Sequence, residues 1–241
     1  MEVQARQILR SVLRLLAGIF MLTLIFGSYT NAVAASRGEA QSIIDKSKGA
    51  LSDMTGSKEF SWLPQYLKSA KGILIFPQIL KAGFFLGGSG GTGVFLVHDP
   101  VTGTWSEPAF YTLGSVTYGL QIGGEAAEVV MLAMNQKAVD SLLSSSVKLG
   151  GDASVTVGPV GGGAKGAMTI PEVTADFISS TKTKGLYAGL NLEGSVLAVR
   201  DSLNSDYYGK KISPKDIFIK KDAINPGAVG LLDTLRKVSA K

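Results

Sequence analysis

The spacing of apolar residues changes along this chain from helical to alternating and back, and each change marks an element. From Ser36 to Met54 the residues Ala40, Ile43, Ile44, Ala50 and Leu51 recur at roughly helical intervals with polar residues between them, predicting an amphipathic helix. A second, shorter helix is expected from Phe60 to Ser69, ending near Lys71-Gly72 where the period breaks. Gly72 to Phe76, GILIF, then reads as a fully buried strand, and Pro77 is expected to close it.

Beyond Pro77 the apolar runs are short, alternating and punctuated by glycine: GFFLG, GVFLVHD, WSEPAFYTLGS, VTYGLQIGGE and AEVVMLAMN. Strands at such spacing predict an antiparallel meander. Within it, Lys81 to Asp99 sets two apolar runs around a glycine-rich stretch, expected to be a hairpin loop, and His98-Asp99-Pro100 with Thr102-Gly103 is expected to turn the chain before Thr104-Trp105. Gln136 to Ser144 has helical spacing, with Ala138, Leu142 and Leu143 on one side. Alternation resumes over Lys148 to Val160 and Asp176 to Arg200, with Gly161 to Gly166 between them as an exposed loop. After Arg200 the chain turns polar, then basic at Lys210, Lys211, Lys215, Lys220 and Lys221. A last helix follows, capped by Asn225, with Pro226 at its first position and Leu231, Leu232 and Leu235 at packing intervals. The pattern predicts an α+β fold: a glycine-rich, strongly curved antiparallel sheet or barrel with flanking N-terminal and C-terminal helices.

Composition sharpens this picture at the N-terminus. Arg6, Arg10 and Arg14 precede an apolar run from Leu15 to Phe26 and a small-residue stretch ending Ala32-Val33-Ala34, the layout of a secretory signal peptide cleaved near Ala34. The run falls well short of the roughly 20 residues a spanning helix needs. The expected product is a single domain over residues 35–241, periplasmic or secreted. The chain has no cysteine, so it is neither a lipobox lipoprotein nor stapled by disulfides. Removing residues 1–34 leaves 21 basic and 18 acidic residues, too mild an excess to demand nucleic acid, and the basic, aromatic-interleaved pattern of a nucleic-acid binder is not evident. The same part keeps 28 glycines in 207 residues, about twice ordinary usage, as a strongly bent sheet requires.

The candidate chemistry is thin. Gly88, Gly90 and Gly93 match the dinucleotide fingerprint, but the loop leads into Val94-Phe95-Leu96-Val97, a strand rather than the helix whose N-terminus would face a pyrophosphate. Gly87, Ser89 and Gly91 match the esterase elbow and fail on the same ground; the one histidine, His98, sits nine residues past Ser89. One histidine and no cysteine exclude Cys-His dyads, zinc clusters and two-histidine iron sites. Glu125 with Glu128, or Asp201 with Asp206, has no spacing that separates catalysis from solvated charge. Gly158 to Gly166 lacks the Ser or Thr of a Walker A loop. No enzyme, metal or cofactor is expected.

A longer series of short motifs runs through the chain from about Ala70 to Ile219: Lys71-Gly72-Ile73 with Phe76-Pro77, Lys81-Ala82-Gly83-Phe84, the glycines from Gly88 to Gly93, and Trp105-Ser106 with Pro108. Gly119-Leu120-Gln121-Ile122-Gly123 with Glu125, Leu149-Gly150 with Asp152-Ala153, and Gly158-Pro159 continue it. Lys184-Gly185-Leu186-Tyr187-Ala188-Gly189, Leu192-Glu193-Gly194 and Tyr207-Tyr208-Gly209 complete it. This order resembles the SYLF domain, a lipid-binding module of eukaryotic actin-patch and membrane-trafficking proteins and of exported bacterial proteins. The chain departs from the family's common pattern at Gly162, where arginine is usual, and at Ser180, where tyrosine is common.

The resemblance implies a non-enzymatic exported protein that binds anionic phospholipid headgroups or a membrane surface. Lys71, Lys81, Lys182 and Lys184 are the residues it places best, followed by Lys165, Lys210 and Lys211. Some fungal members associate with actin, which an exported protein would not meet. The alternative reading is a structural or protein-interaction module of the cell envelope with a protein partner and no lipid ligand.

Overall fold

The structure, a computed structural model, describes residues 36–83, 86–99, 101–118, 123–158, 174–183 and 192–240. The leader, the loop 161–166, Lys165, and the segment holding Lys184 lie outside these residues. The amphipathic pattern at the start forms helix α1, residues 36–56, burying Ile44, Ser47, Leu51 and Met54 along one stripe. A single 3-10 turn at Lys58–Phe60 leads into α2 (Leu63–Ser69), so the expected second helix is shorter than its pattern.

The sheet then builds from β1 (Gly72–Gly83), β2 (Leu86–Asp99), β3 (Thr104–Trp105), β4 (Ala109–Tyr118) and β5 (Gly123–Ala133). After α3 (Gln136–Ser141) come β6 (Ser146–Lys148), β7 (Val155–Val157), β8 (Phe177–Thr183) and β9 (Val196–Val199), then α4 (Asp201–Tyr208), α5 (Pro214–Phe218) and α6 (Val229–Ser239). The strand order is β6-β9-β4-β2-β1-β5-β8-β7, with β3 pairing β2. Among the described residues every strand pairing is antiparallel except β7 with β8, which makes the curved sheet mixed. Among the described residues no helix is long and apolar enough to cross a membrane.

Alternation along the central strands feeds two cores. Ile73 and Ile75 of β1, Val94 and Leu96 of β2, and Val130 and Leu132 of β5 pack with α1, α2, α4 and α6. The residues between them, Leu74, Phe76, Phe95, Val129 and Met131, pack on the opposite face with α3 and α5. This second core also takes Val147 of β6, Phe177 of β8 and Val155 of β7, although β6 and β7 are the two ends of the strand order. The sheet is therefore curled into a half-barrel, and a bridge between Leu149 and Ala153 links the segments beyond its two edges.

Two expectations change here. Pro77 does not close β1: Ile75 pairs with Val94 while Leu80 pairs with Gly90, and Phe76 pairs with Val129 while Ile79 pairs with Ala127, so β1 carries one extra residue around Pro77-Gln78 and continues to Gly83. A proline cannot donate to the ladder, and a bulge is where a strand tolerates it. The bulge reverses the alternation, turning Ile79 into the core that took Phe76. The glycines are not a hairpin loop either but the first half of β2. A Cβ on Gly91 would lie 2.1 Å from the Gln78 carbonyl oxygen, and one on Gly93 2.2 Å from that of Ile75. Close approach of the bulged backbone, rather than a turn, requires glycine there.

Buried polar groups lock the periphery. The polar run at Asp201 forms α4, whose Asn204 is fully buried, accepts from the Phe110 N–H at 2.8 Å and donates to its carbonyl at 3.4 Å, completing the backbone pairing of β4. Asp176 is also buried. Its carboxylate accepts from Lys137 Nζ at 2.9 Å, the Ser154 N–H at 2.8 Å, Ser154 Oγ at 2.9 Å and Asn135 Nδ2 at 3.0 Å, joining α3 to the strands. Burial alone would raise this carboxyl, but the bonds from Lys137, Ser154 and Asn135 outweigh it and hold it well below the usual carboxylate range. The 99–104 hairpin is as expected, with Asp99 Oδ1 accepting from the Val101 and Thr102 N–H groups and Gly103 at φ 68°.

Gly93→Ala is expected to lower stability by about 1–3 kcal/mol, because the obstacle is backbone, whereas Gly88→Ala, whose nearest neighbour is 3.5 Å away, changes it little. Urea denaturation of the two variants checks this. Asp176→Asn should cost about 1–3 kcal/mol at neutral pH. A depressed folded-state carboxyl contributes stability that is full above about pH 4 and lost as pH falls further, so the gap between wild type and variant should close on acidification.

Candidate functional site

The bulge that bends β1 also shapes a cleft of about 510 Å³. Pro77, Gln78 and Ala126 give it a largely small and apolar floor, and α1 overhangs it. Lys46 and Asp53 are seven residues apart, two helical turns, and so project from one face of α1. Glu128 and Lys182 are direct register partners on β5 and β8.

Two cations and two carboxylates thus share the cleft. Lys182 Nζ lies 3.7 Å from Glu128 Oε2 and 4.0 Å from Asp53 Oδ2. Both pairs are loose, and the one to Asp53 is solvent-screened. Glu128 Oε2 is shielded from solvent and has no hydrogen-bond donor among the described residues. The charges balance, so the cleft is polar without being an anion trap. Nothing in it pairs a nucleophile with a base, and no cluster of His, Asp or Glu among the described residues could hold a metal ion.

The other titratable groups serve the fold. His98 is buried on β2 opposite Trp105 rather than in a turn; its ring stacks on the indole at 4.3 Å, and Nδ1–H donates to the Ala70 carbonyl at 3.0 Å. Ser89 bonds Ser115 at 2.7 Å and lies nine residues from His98 along one strand, about 30 Å. They cannot form a catalytic pair. Burial pushes the Glu107 carboxyl up, and burial followed by the charge of Glu107 does the same to the Tyr207 and Tyr208 hydroxyls. Tyr208 donates to the Pro108 carbonyl at 2.6 Å, which ties α4 to the entrance of β4.

The described lysines among those singled out in the sequence do not converge. Lys71 precedes β1, its N–H bonded to Ala133 and its carbonyl to the His98 N–H, both at 2.8 Å. Lys81 stands ten residues further along, in register with Ser89 and Glu125, about 30 Å away. Among the described lysines of that set, Lys182 lines the cleft, beside Lys46, which a sequence does not single out because a seven-residue spacing to an aspartate is ordinary in an exposed helix face. Lys210 follows α4 and donates to the Asp222 carbonyl at 2.6 Å, and Lys211 beside it is exposed.

Residues 114–238, just over half of the chain, match the family model described as Ysc84, Las17-binding protein actin regulator. The chain belongs to this family. The match runs from the middle of β4 into α6 and includes Glu128, Lys182 and the basic stretch from Lys210 to Lys221, but not α1. The chain is similar to Protein YSC84 of Saccharomyces cerevisiae, 36% identical over 175 residues, which cover 71% of this chain and 37% of that protein. It is also similar to LAS seventeen-binding protein 3 of the same species, 38% identical over 157 residues covering 64% and 34%. To SH3 domain-containing YSC84-like protein 1 of Mus musculus it is 33% identical over 152 residues, covering 63% and 44%. The chain thus spans less than half the length of the curated relatives it matches. No solved structure matches it.

If the cleft charges serve recognition rather than folding, Lys182→Ala will lower stability by less than about 1 kcal/mol. Thermal or urea unfolding reads this out, and a much larger loss would make the pairs structural.

Proposed function

We propose that this Ysc84-family chain is a non-enzymatic, exported protein that binds membrane surfaces through contacts between its lysines and anionic lipid headgroups. The observation that carries this reading is the stretch from Lys210 to Lys221, where five exposed lysines stand against Asp216 and Asp222, and where Lys220 pairs with Asp216 Oδ1 at 2.7 Å. A surface of dispersed lysines suits a sheet of headgroups better than a single small molecule, since each lysine near an anionic membrane contributes about 1 kcal/mol without needing a shared geometry. The basic, apolar leader supports export, and the SYLF resemblance supports lipid as the ligand. Lys71, Lys81, Lys165, Lys182 and Lys184 belong to the proposed set, with Lys182 restrained by Glu128 and Asp53.

The second reading is a protein-interaction module. What favours it is that the family description names Las17 binding and actin regulation, and that relatives carry those words or an SH3 domain in their names. Cosedimentation separates the two. The purified protein is expected to pellet with vesicles of phosphatidylglycerol and phosphatidylcholine at low ionic strength and to be released by high salt. Absence of binding at low salt, together with capture of filamentous actin in the same assay, would replace the lipid reading by the protein one.

A further inference from the structure

The loop between α5 and α6 leaves two isoleucines in solvent. Ile224 is 85% exposed and Ile219 63%, while their neighbours Ala223 and Phe218 are buried in the second core. This loop is built to hold that arrangement. Phe218 packs edge-on against Phe95 at 5.2 Å, and the Asp222 N–H bonds the Asp216 carbonyl at 3.0 Å. Asn225 Nδ2 bonds the Tyr207 carbonyl at 2.7 Å. Lys221, between the two isoleucines, adopts φ 58°, the left-handed conformation that non-glycine residues rarely take.

A second turn stands beside it. Phe218 touches β2 through Phe95, and Asp99 at the end of β2 feels the charge of Lys221 after its bonds to Thr102 and Val101, all of which lower its carboxyl. Val101, at the tip of that turn, is 92% exposed. The loop thus presents Ile219 and Ile224 with Lys220, Lys221 and Asp222 between them, and the turn whose Asp99 feels Lys221 adds Val101. Isolated exposed aliphatics are ordinary, but a cluster held out by buried neighbours and interleaved with lysines has the composition of a surface that enters the membrane interface.

We infer that the 219–224 loop and the tip at Val101 form an insertion edge: Ile219, Ile224 and Val101 enter the interfacial layer of an anionic bilayer while Lys220 and Lys221 meet its headgroups. This rests on the membrane-binding reading and adds the face and the depth of contact. Because backbone hydrogen bonds already hold the 219–224 loop, from the Asp222 N–H to the Asp216 carbonyl and from the Ile219 N–H to the Lys215 carbonyl, less conformational entropy is lost on docking.

The chain has no cysteine, so Ile224→Cys provides a single site for the environment-sensitive dye NBD. With phosphatidylglycerol–phosphatidylcholine vesicles its emission should brighten and shift to the blue. The same dye at Val116→Cys should not respond, since Val116 is exposed and pairs with Gly88 at the far end of β2, roughly 35 Å from Asp99. Replacing Val101, Ile219 and Ile224 together by serine should weaken vesicle partitioning at least about tenfold, with the unfolding transition unchanged. Vesicle binding that leaves the Ile224 dye silent, or that survives the triple serine variant, overturns the insertion edge and leaves membrane binding standing; no vesicle binding by the unaltered protein overturns both. A dye that responds to a protein partner and not to vesicles makes the edge a protein-docking surface and overturns the inference.

Discussion

The architecture depends on one extra residue in β1. At Pro77-Gln78 the strand gains a residue over both neighbours, which rotates its carbonyls toward β2, and β2 can lie against them only because Gly91 and Gly93 have no side chain. The consequence spreads outward. The alternation of β1 reverses, the sheet bends, and strands from the two ends of its order share one hydrophobic core. The same bulge supplies a wall of the cleft under α1. Local twist from a bulge is a general property of sheets; here it sets both the curl and the place where the polar cleft opens.

Among the described residues, several chemically potent groups are engaged in holding the fold. Asp176 gathers four donors, Asn204 completes the ladder of β4, His98 is pinned between Ala70 and Trp105, and Ser89 is satisfied by Ser115. A buried polar group left unpaired would cost stability, so these residues are positioned by the fold's needs. Exposed lysines and a few aliphatic side chains stand among the other charged residues of the surface, spread along strands and turns. That distribution favours recognition of an extended partner, and the proposed membrane surface meets it with long-range charge and shallow apolar contact.

Amphipathic α1, the two-faced strand GILIF, the hairpin at Asp99 and the Asn225 cap were legible in the sequence. Each is written in local spacing or in residue type, and local spacing survives without knowledge of the neighbours. Tertiary structure alone decided the rest. Whether a glycine run is a loop or a strand depends on which backbone approaches it, and Gly91 answers to Gln78 on another strand. The polar segment at Asp201 is a helix because Asn204 meets Phe110, 94 residues away. Lys46 and Lys182, 136 residues apart in the chain, line one cleft, and the charge of Lys221 reaches Asp99 across 122 residues. Periodicity records which way a side chain faces; the identity of what it faces is fixed when distant segments close on one another.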